Sequence, residues 1–84
     1  MKYMIEIAPL TDYYVIAAKD KETGEIVETF TLNESATDIL RLFCEEKDAI
    51  TVAKEIANLY EAPLELVSKD VAAFEERLQK KGLF

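Results

Sequence analysis

The chain has 84 residues, half of them hydrophobic and 32% charged, a globular composition that excludes disorder and has room for one core, predicting a single domain over 1–84. Its formal charge of −7 disfavours nucleic acid and anionic membrane as partners, and no apolar run approaches the roughly 20 residues of a membrane span, so a cytoplasmic protein is expected. With no histidine, one cysteine and two glycines, the sequence also offers no transition-metal cluster, no internal disulfide and no phosphate-cradling glycine loop; no cofactor and no metal are expected.

From Tyr3 to Ala8 the residues Tyr3, Ile5 and Ile7 alternate with Met4, Glu6 and Ala8, predicting a first strand that Pro9 ends. A turn around Leu10 to Asp12 leads into Tyr13 to Lys19, whose Tyr13, Tyr14, Val15 and Ile16 have strong β propensity and little polarity on either face, as a central strand requires. Asp20 to Glu25 is polar and contains Gly24, the tip of a hairpin. Ile26 to Leu32 returns as a third strand, with Ile26, Glu28, Phe30 and Leu32 on one face and Val27, Thr29 and Thr31 on the other; Phe30 and Leu32 are expected to face the core. Three strands joined by short turns form an antiparallel meander, so the first and third are both edges. Lys2 and Pro9 blunt the first edge, whereas the third carries no proline, lysine or glycine. Such an edge is either covered, by the helices or a second copy, or used.

At Leu32 the two-residue period gives way to a helical one. Asn33 stands where an N-cap belongs, and Ala36, Ile39, Leu40, Phe43 and Cys44 form one apolar stripe, on which Cys44 reads as a small buried hydrophobe. After a polar connector, Glu45 to Asp48, Thr51 is expected to cap a second helix bearing Val52, Ala53, Ile56, Ala57 and Tyr60 on one face. Pro63 suits the first position of a third helix, whose core face is Val67, Val71, Phe74 and Leu78. Gly82 is placed for a left-handed cap, after which Leu83 and Phe84 can fold back onto the core. The predicted class is α+β, in the order βββααα.

Three helices with a small sheet can form a winged-helix-like domain, whose usual use is DNA binding. The helix that would read DNA, Thr51 to Glu61, offers only Lys54 against Glu55 and Glu61, so no duplex binding is expected. Seventeen acids spread over amphipathic helices single out no catalytic pair, and what remains is a binding module. Charge is uneven along the chain: residues 33 to 62 hold seven acids against three basic residues, while residues 63 to 84 hold four of each. The cations at the end of the last helix, Arg77, Lys80 and Lys81, either complement its dipole or form a landing point for an acidic partner.

Three runs in order, Phe30 to Leu40 (FTLNESATDIL), Thr51 to Ala57 (TVAKEIA) and Asp70 to Phe84 (DVAAFEERLQKKGLF), resemble the PqqD family, the small proteins of pyrroloquinoline quinone biosynthesis and, more broadly, recognition elements for ribosomally made, post-translationally modified peptides. The resemblance covers residues 26 to 84; the first 25 agree in pattern only. The chain departs from the family in having Ala53-Lys54, rather than acidic residues, after the expected capping threonine. The resemblance implies a non-catalytic winged-helix-like fold that binds the leader segment of a precursor peptide as a strand added to its third strand. It also implies delivery of that peptide to a modifying enzyme, most often a radical S-adenosylmethionine protein. Carried onto this chain, the contact strand is Ile26, Val27, Glu28, Thr29, Phe30 and Thr31, and the helix side of the cleft draws on Lys69, Asp70, Ala73, Phe74 and Arg77. The alternative is a structural or regulatory interaction protein, so that either a monomer or a weak dimer pairing the same edges is expected.

Overall fold

Period-two alternation in the first part of the chain builds a sheet, and period-3.6 patterning in the rest builds the helices that cover one face of it. The computed structural model describes residues 3–84. Its order is β1 (Met4–Pro9), β2 (Tyr14–Lys19), β3 (Ile26–Leu32), α1 (Glu34–Cys44), α2 (Ala49–Leu59) and α3 (Leu64–Lys80), the α+β arrangement expected. The sheet is antiparallel in the order β1-β2-β3, so β2 is central. Lys2, read as a guard of the first edge, lies outside the described residues. β1 includes Pro9, which pairs with Tyr14 at the end of an edge strand, where a missing N–H costs the ladder little.

The helix-facing side of the sheet carries Ile5 and Ile7 from β1, Ile16 and Ala18 from β2, and Phe30 and Leu32 from β3; Ile16 and Ala18 are fully buried. Against them pack Ile39, Leu40 and Phe43 of α1, Val52, Ala53 and Ile56 of α2, and Val67, Val71, Phe74 and Leu78 of α3. The expected alternation of β3 fails at its start. Ala18 pairs with Glu28 but Lys19 with Ile26, so Val27 is an extra residue in the ladder, a bulge that takes Ile26 off the face of Phe30 and leaves it 58% exposed.

Asn33 caps α1 as expected, its Oδ1 accepting the Ala36 amide at 2.9 Å. The stripe of α1 buries Ile39, Leu40 and Phe43 as expected but takes in Thr37 and not Cys44. Thr37 is fully buried, its hydroxyl donating to the Asn33 carbonyl at 2.8 Å, and Cys44 is exposed rather than buried although it shares the face of Thr37 and Leu40, because it is the last residue of the helix. Cys44 still lines a hollow with Tyr3 and Ile5, and desolvation raises its thiol above the ordinary value.

The cap of α2 lies three residues before the expected one. It is Asp48, whose Oδ1 accepts the Thr51 amide at 2.8 Å; Thr51 is the third helical residue and not the cap. The acidic group at this helix start is thus supplied by the cap itself. α2 also ends earlier than expected, at Leu59, because Glu61 takes a left-handed conformation (φ 51°) and the Ala62 amide turns back to the Ala57 carbonyl at 2.9 Å. Pro63 is the N-cap of α3 rather than its first residue, with extended ψ of 128°. At the far end Gly82 is left-handed (φ 76°), its amide donating to the Gln79 carbonyl and that of Leu83 to the Leu78 carbonyl, both at 3.0 Å. This closure buries Leu83 and sets Phe84 edge-on to Phe43 at 5.2 Å. No helix among the described residues is long and apolar enough to cross a membrane.

Two stability changes follow. Leu40→Ala, which empties a fully buried site between sheet and helices, is expected to lower unfolding free energy by about 2–5 kcal/mol in urea denaturation. Asp48→Ala is expected to lower the urea midpoint more than Thr51→Ala does. The Thr51 amide holds the Asp48 carboxyl below its ordinary range, so its contribution is complete above the unfolded-state value and is lost as pH falls through the lower folded value. The gap between wild type and Asp48→Ala therefore closes in acid.

Candidate functional site

β3 has a neighbour on one side only. Among the described residues no strand pairs with its outer edge, so alternate N–H and C=O groups there face outward. Its solvent face presents Val27, Thr29 and Thr31, and its other face the half-buried Glu28 and Phe30. Glu28 and Phe30 tie the strand to the end of α3. Lys81 Nζ lies 2.9 Å from Glu28 Oε1 and 4.8 Å from the centroid of the Phe30 ring, an ion pair and a cation–π contact made by one ammonium.

Where β3 runs into α1, an open groove of about 410 Å³ lies between the first turn of α1, the end of α2 and one face of α3. Ala36, Ile39, Ile56, Val67 and Phe74 supply its apolar surface, and Ala62 and Ala73 keep it open because they bring no bulk. Asn33, Ser35, Tyr60, Asp70 and Arg77 supply the polar groups. On α3 the spacing Asp70, Ala73–Phe74, Arg77 is one helical face, which sets a carboxylate and a guanidinium seven residues, about 10 Å, apart along the wall. The Arg77 guanidinium stacks 5.8 Å from the Phe74 ring centroid. Among the described residues neither Arg77 nor Asp70 is in an ion pair.

Of the helix residues singled out from the sequence, Asp70, Ala73, Phe74 and Arg77 line this groove and Lys69 does not; Lys69 is exposed on another face of α3. Ile26 to Thr31 form the edge that leads toward the groove without lining it. Sequence reasoning missed Asn33, read as the cap of the first helix, Ala36, read as part of its apolar stripe, and Tyr60, read on the apolar face of the second helix, as well as Ser35 and Ala62. Small residues at Ser35, Ala36, Ala62 and Ala73 are the one signal that could have found them, since a groove between helices needs missing side-chain volume.

Tyr60 closes one end of the groove. Its hydroxyl donates to Asp38 Oδ2, and Arg41 Nη1 lies 3.6 Å from Asp38 Oδ1. The hydrogen bond to Asp38 pushes the phenol up to about 12. Among the described residues no three His, Cys, Asp or Glu side chains are grouped to hold a metal ion.

The family model for coenzyme PQQ synthesis protein D (PqqD) matches residues 18–83. The chain is also similar to the solved structure of TbiB1 in complex with the TbiA(beta) leader peptide, at 25% identity and a TM-score of 0.70, covering 99% of this chain and 93% of that one. No curated protein matches.

An ultraviolet titration of phenolate absorbance is expected to show one tyrosine ionising near 12, and Asp38→Ala is expected to return it to the ordinary range. Because the folded value is raised, the stabilisation is complete below the ordinary tyrosine value and lost as pH rises through the folded one.

Proposed function

The chain belongs to the PqqD family, and we propose that it is a peptide-binding adaptor that captures the leader segment of a ribosomally made precursor peptide and presents it to a modifying enzyme. The observation that carries this reading is the open edge of β3 leading into a groove with an apolar surface and unpaired charge on its α3 wall. An extended peptide added to that edge gains main-chain hydrogen bonds from β3, which give affinity, while an apolar side chain entering the groove gives specificity. The Lys81 contacts to Glu28 and Phe30 support this reading, because they hold strand and helix together before a peptide arrives and spare binding the cost of ordering them. That TbiB1 was solved with a leader peptide supports the same assignment.

In this reading the contact residues are Ile26 to Thr31 on the strand, with Asp70, Ala73, Phe74 and Arg77 on the helix; Lys69 contributes only to the surrounding field. The protein performs no chemistry of its own, and the enzyme that receives the peptide is of the radical S-adenosylmethionine class. The site of action is the cytoplasm, where precursor peptides are made.

The test is an amide chemical-shift titration with the leader segment of whichever small peptide the genome places beside this protein's gene. Shifts are expected along Ile26 to Leu32 and on the Asp70, Phe74 and Arg77 face of α3. Ala73→Arg, at an exposed position, is expected to fill the groove and weaken binding at least about tenfold without loss of stability, and Arg77→Glu to weaken binding of an acidic leader by about tenfold. A response confined to another surface, or a dimer in sedimentation that pairs β3 with β3 and excludes the peptide, would overturn the assignment.

A further inference from the structure

A second groove, of about 430 Å³, runs between α1 and α2 and is separated from the first by the Tyr60–Asp38 hydrogen bond. Tyr60 lines the first groove, Asp38 the second, and Ile56 lies beneath both. The floor of the second groove is Leu42, Ile56 and Leu59. Leu59 is 64% exposed beside the buried Ile56 and half-buried Leu42, a leucine left in water at the edge of a concave apolar surface.

The rim is acidic. Asp38, Glu45 and Glu55 line it with one cation, Arg41. Arg41 pairs with Asp38 at 3.6 Å, and Lys47 pairs with Glu55 at 2.8 Å and lies 3.8 Å from Glu45, so three carboxylates meet two cations and the rim keeps one net negative charge. The groove is built wholly within residues 33 to 62, the stretch with seven acids against three basic residues. Negative potential over an apolar floor repels nucleic acid, anionic lipid and a second copy of this chain, and it attracts a basic polypeptide.

We propose that the α1–α2 groove docks a cationic amphipathic helix of a second protein, with leucine-sized side chains against Leu42, Ile56 and Leu59 and lysines or arginines against Asp38, Glu45 and Glu55. Two helices flanking an apolar trough accept a third through anchors at i, i+3, i+4 and i+7. The site shares no strand with the β3 edge, so both can be filled at once, and a bound peptide and a docked protein are held on one small scaffold.

The probe is a synthetic helix-forming peptide with leucines at i, i+3, i+4 and i+7 and lysine or glutamine elsewhere, titrated into labelled protein. One control has the same composition with the leucines scattered around the helix; another keeps the leucines and replaces lysine with glutamate. Saturable shifts are expected at Arg41 to Glu45 and Glu55 to Leu59, with the β3 amides unmoved. Leu59→Ser, at an exposed position, is expected to weaken binding by about tenfold, Glu45→Lys to weaken it with the fold intact, and added salt to weaken it further. Equal binding of the scattered peptide with shifts spread over the acidic surface, shifts confined to the Asp70 to Arg77 face, or no saturation would overturn the proposal. A failed leader titration at β3 would leave these outcomes unaffected, so the two assignments fail separately.

Discussion

The bond from the Ala36 amide to the Asn33 side chain, 2.9 Å long, is the contact on which the architecture turns. Leu32 is buried as the last residue of β3, and Glu34 is already helical, so a single residue separates the sheet from the helical layer. With no slack in that connection, the direction of α1 follows from where Leu32 must pack. The Thr37 hydroxyl then takes the Asn33 carbonyl, so both the side chain and the backbone of Asn33 are used in the same turn. Once α1 is placed, Leu40 and Phe43 join Ile16 and Ala18 in one core, which residues of α2 and α3 complete.

That placement covers a face of the sheet and leaves its edge. The helices help bury Ile16, Ala18 and Leu32, but among the described residues no strand pairs with the outer edge of β3. The end of α3 also reaches β3, through Lys81 to Glu28 and Phe30, and these contacts engage side chains rather than the backbone groups of the edge. The strand is held in position while its outward N–H and C=O groups stay available. The open edge and the groove beside it are consequences of the same packing, since the chain that turns at Asn33 also forms the mouth of the groove.

Electrostatics divides the helical layer. The α3 wall of the first groove presents Arg77 and Asp70 without ion-pair partners among the described residues, whereas the α1–α2 side concentrates carboxylates around an exposed leucine. Tyr60 stands between the two, its hydroxyl bonded to Asp38 and its ring on the first groove. The first groove therefore balances one carboxylate against one cation while the second is net acidic, and Ile56 lies beneath both.

The order βββααα, the central place of the second strand, the bounds of β3, the Asn33 cap and the core face Val67, Val71, Phe74, Leu78 were all legible in the sequence. These depend on period, on propensity and on a cap whose partner lies three residues away, all local properties. Helix ends without glycine were not legible: Glu46 and Glu61 take left-handed conformations that their side chains do not announce, and Asp48 and Thr51 are both good caps until the helix chooses one. The exposure of Cys44, the burial of Thr37 and the bulge at Val27 also escaped, because each depends on where a helix ends, how it sits on its neighbours or how a strand is registered. For the candidate site, α3 was found by spacing and resemblance, while Asn33, Ser35, Tyr60 and Ala62 were missed. The sequence by itself determined which faces are apolar and which strand is left at an edge; only the tertiary structure decided which helix ends meet beside that edge, because a groove is the space between elements and no single element encodes it.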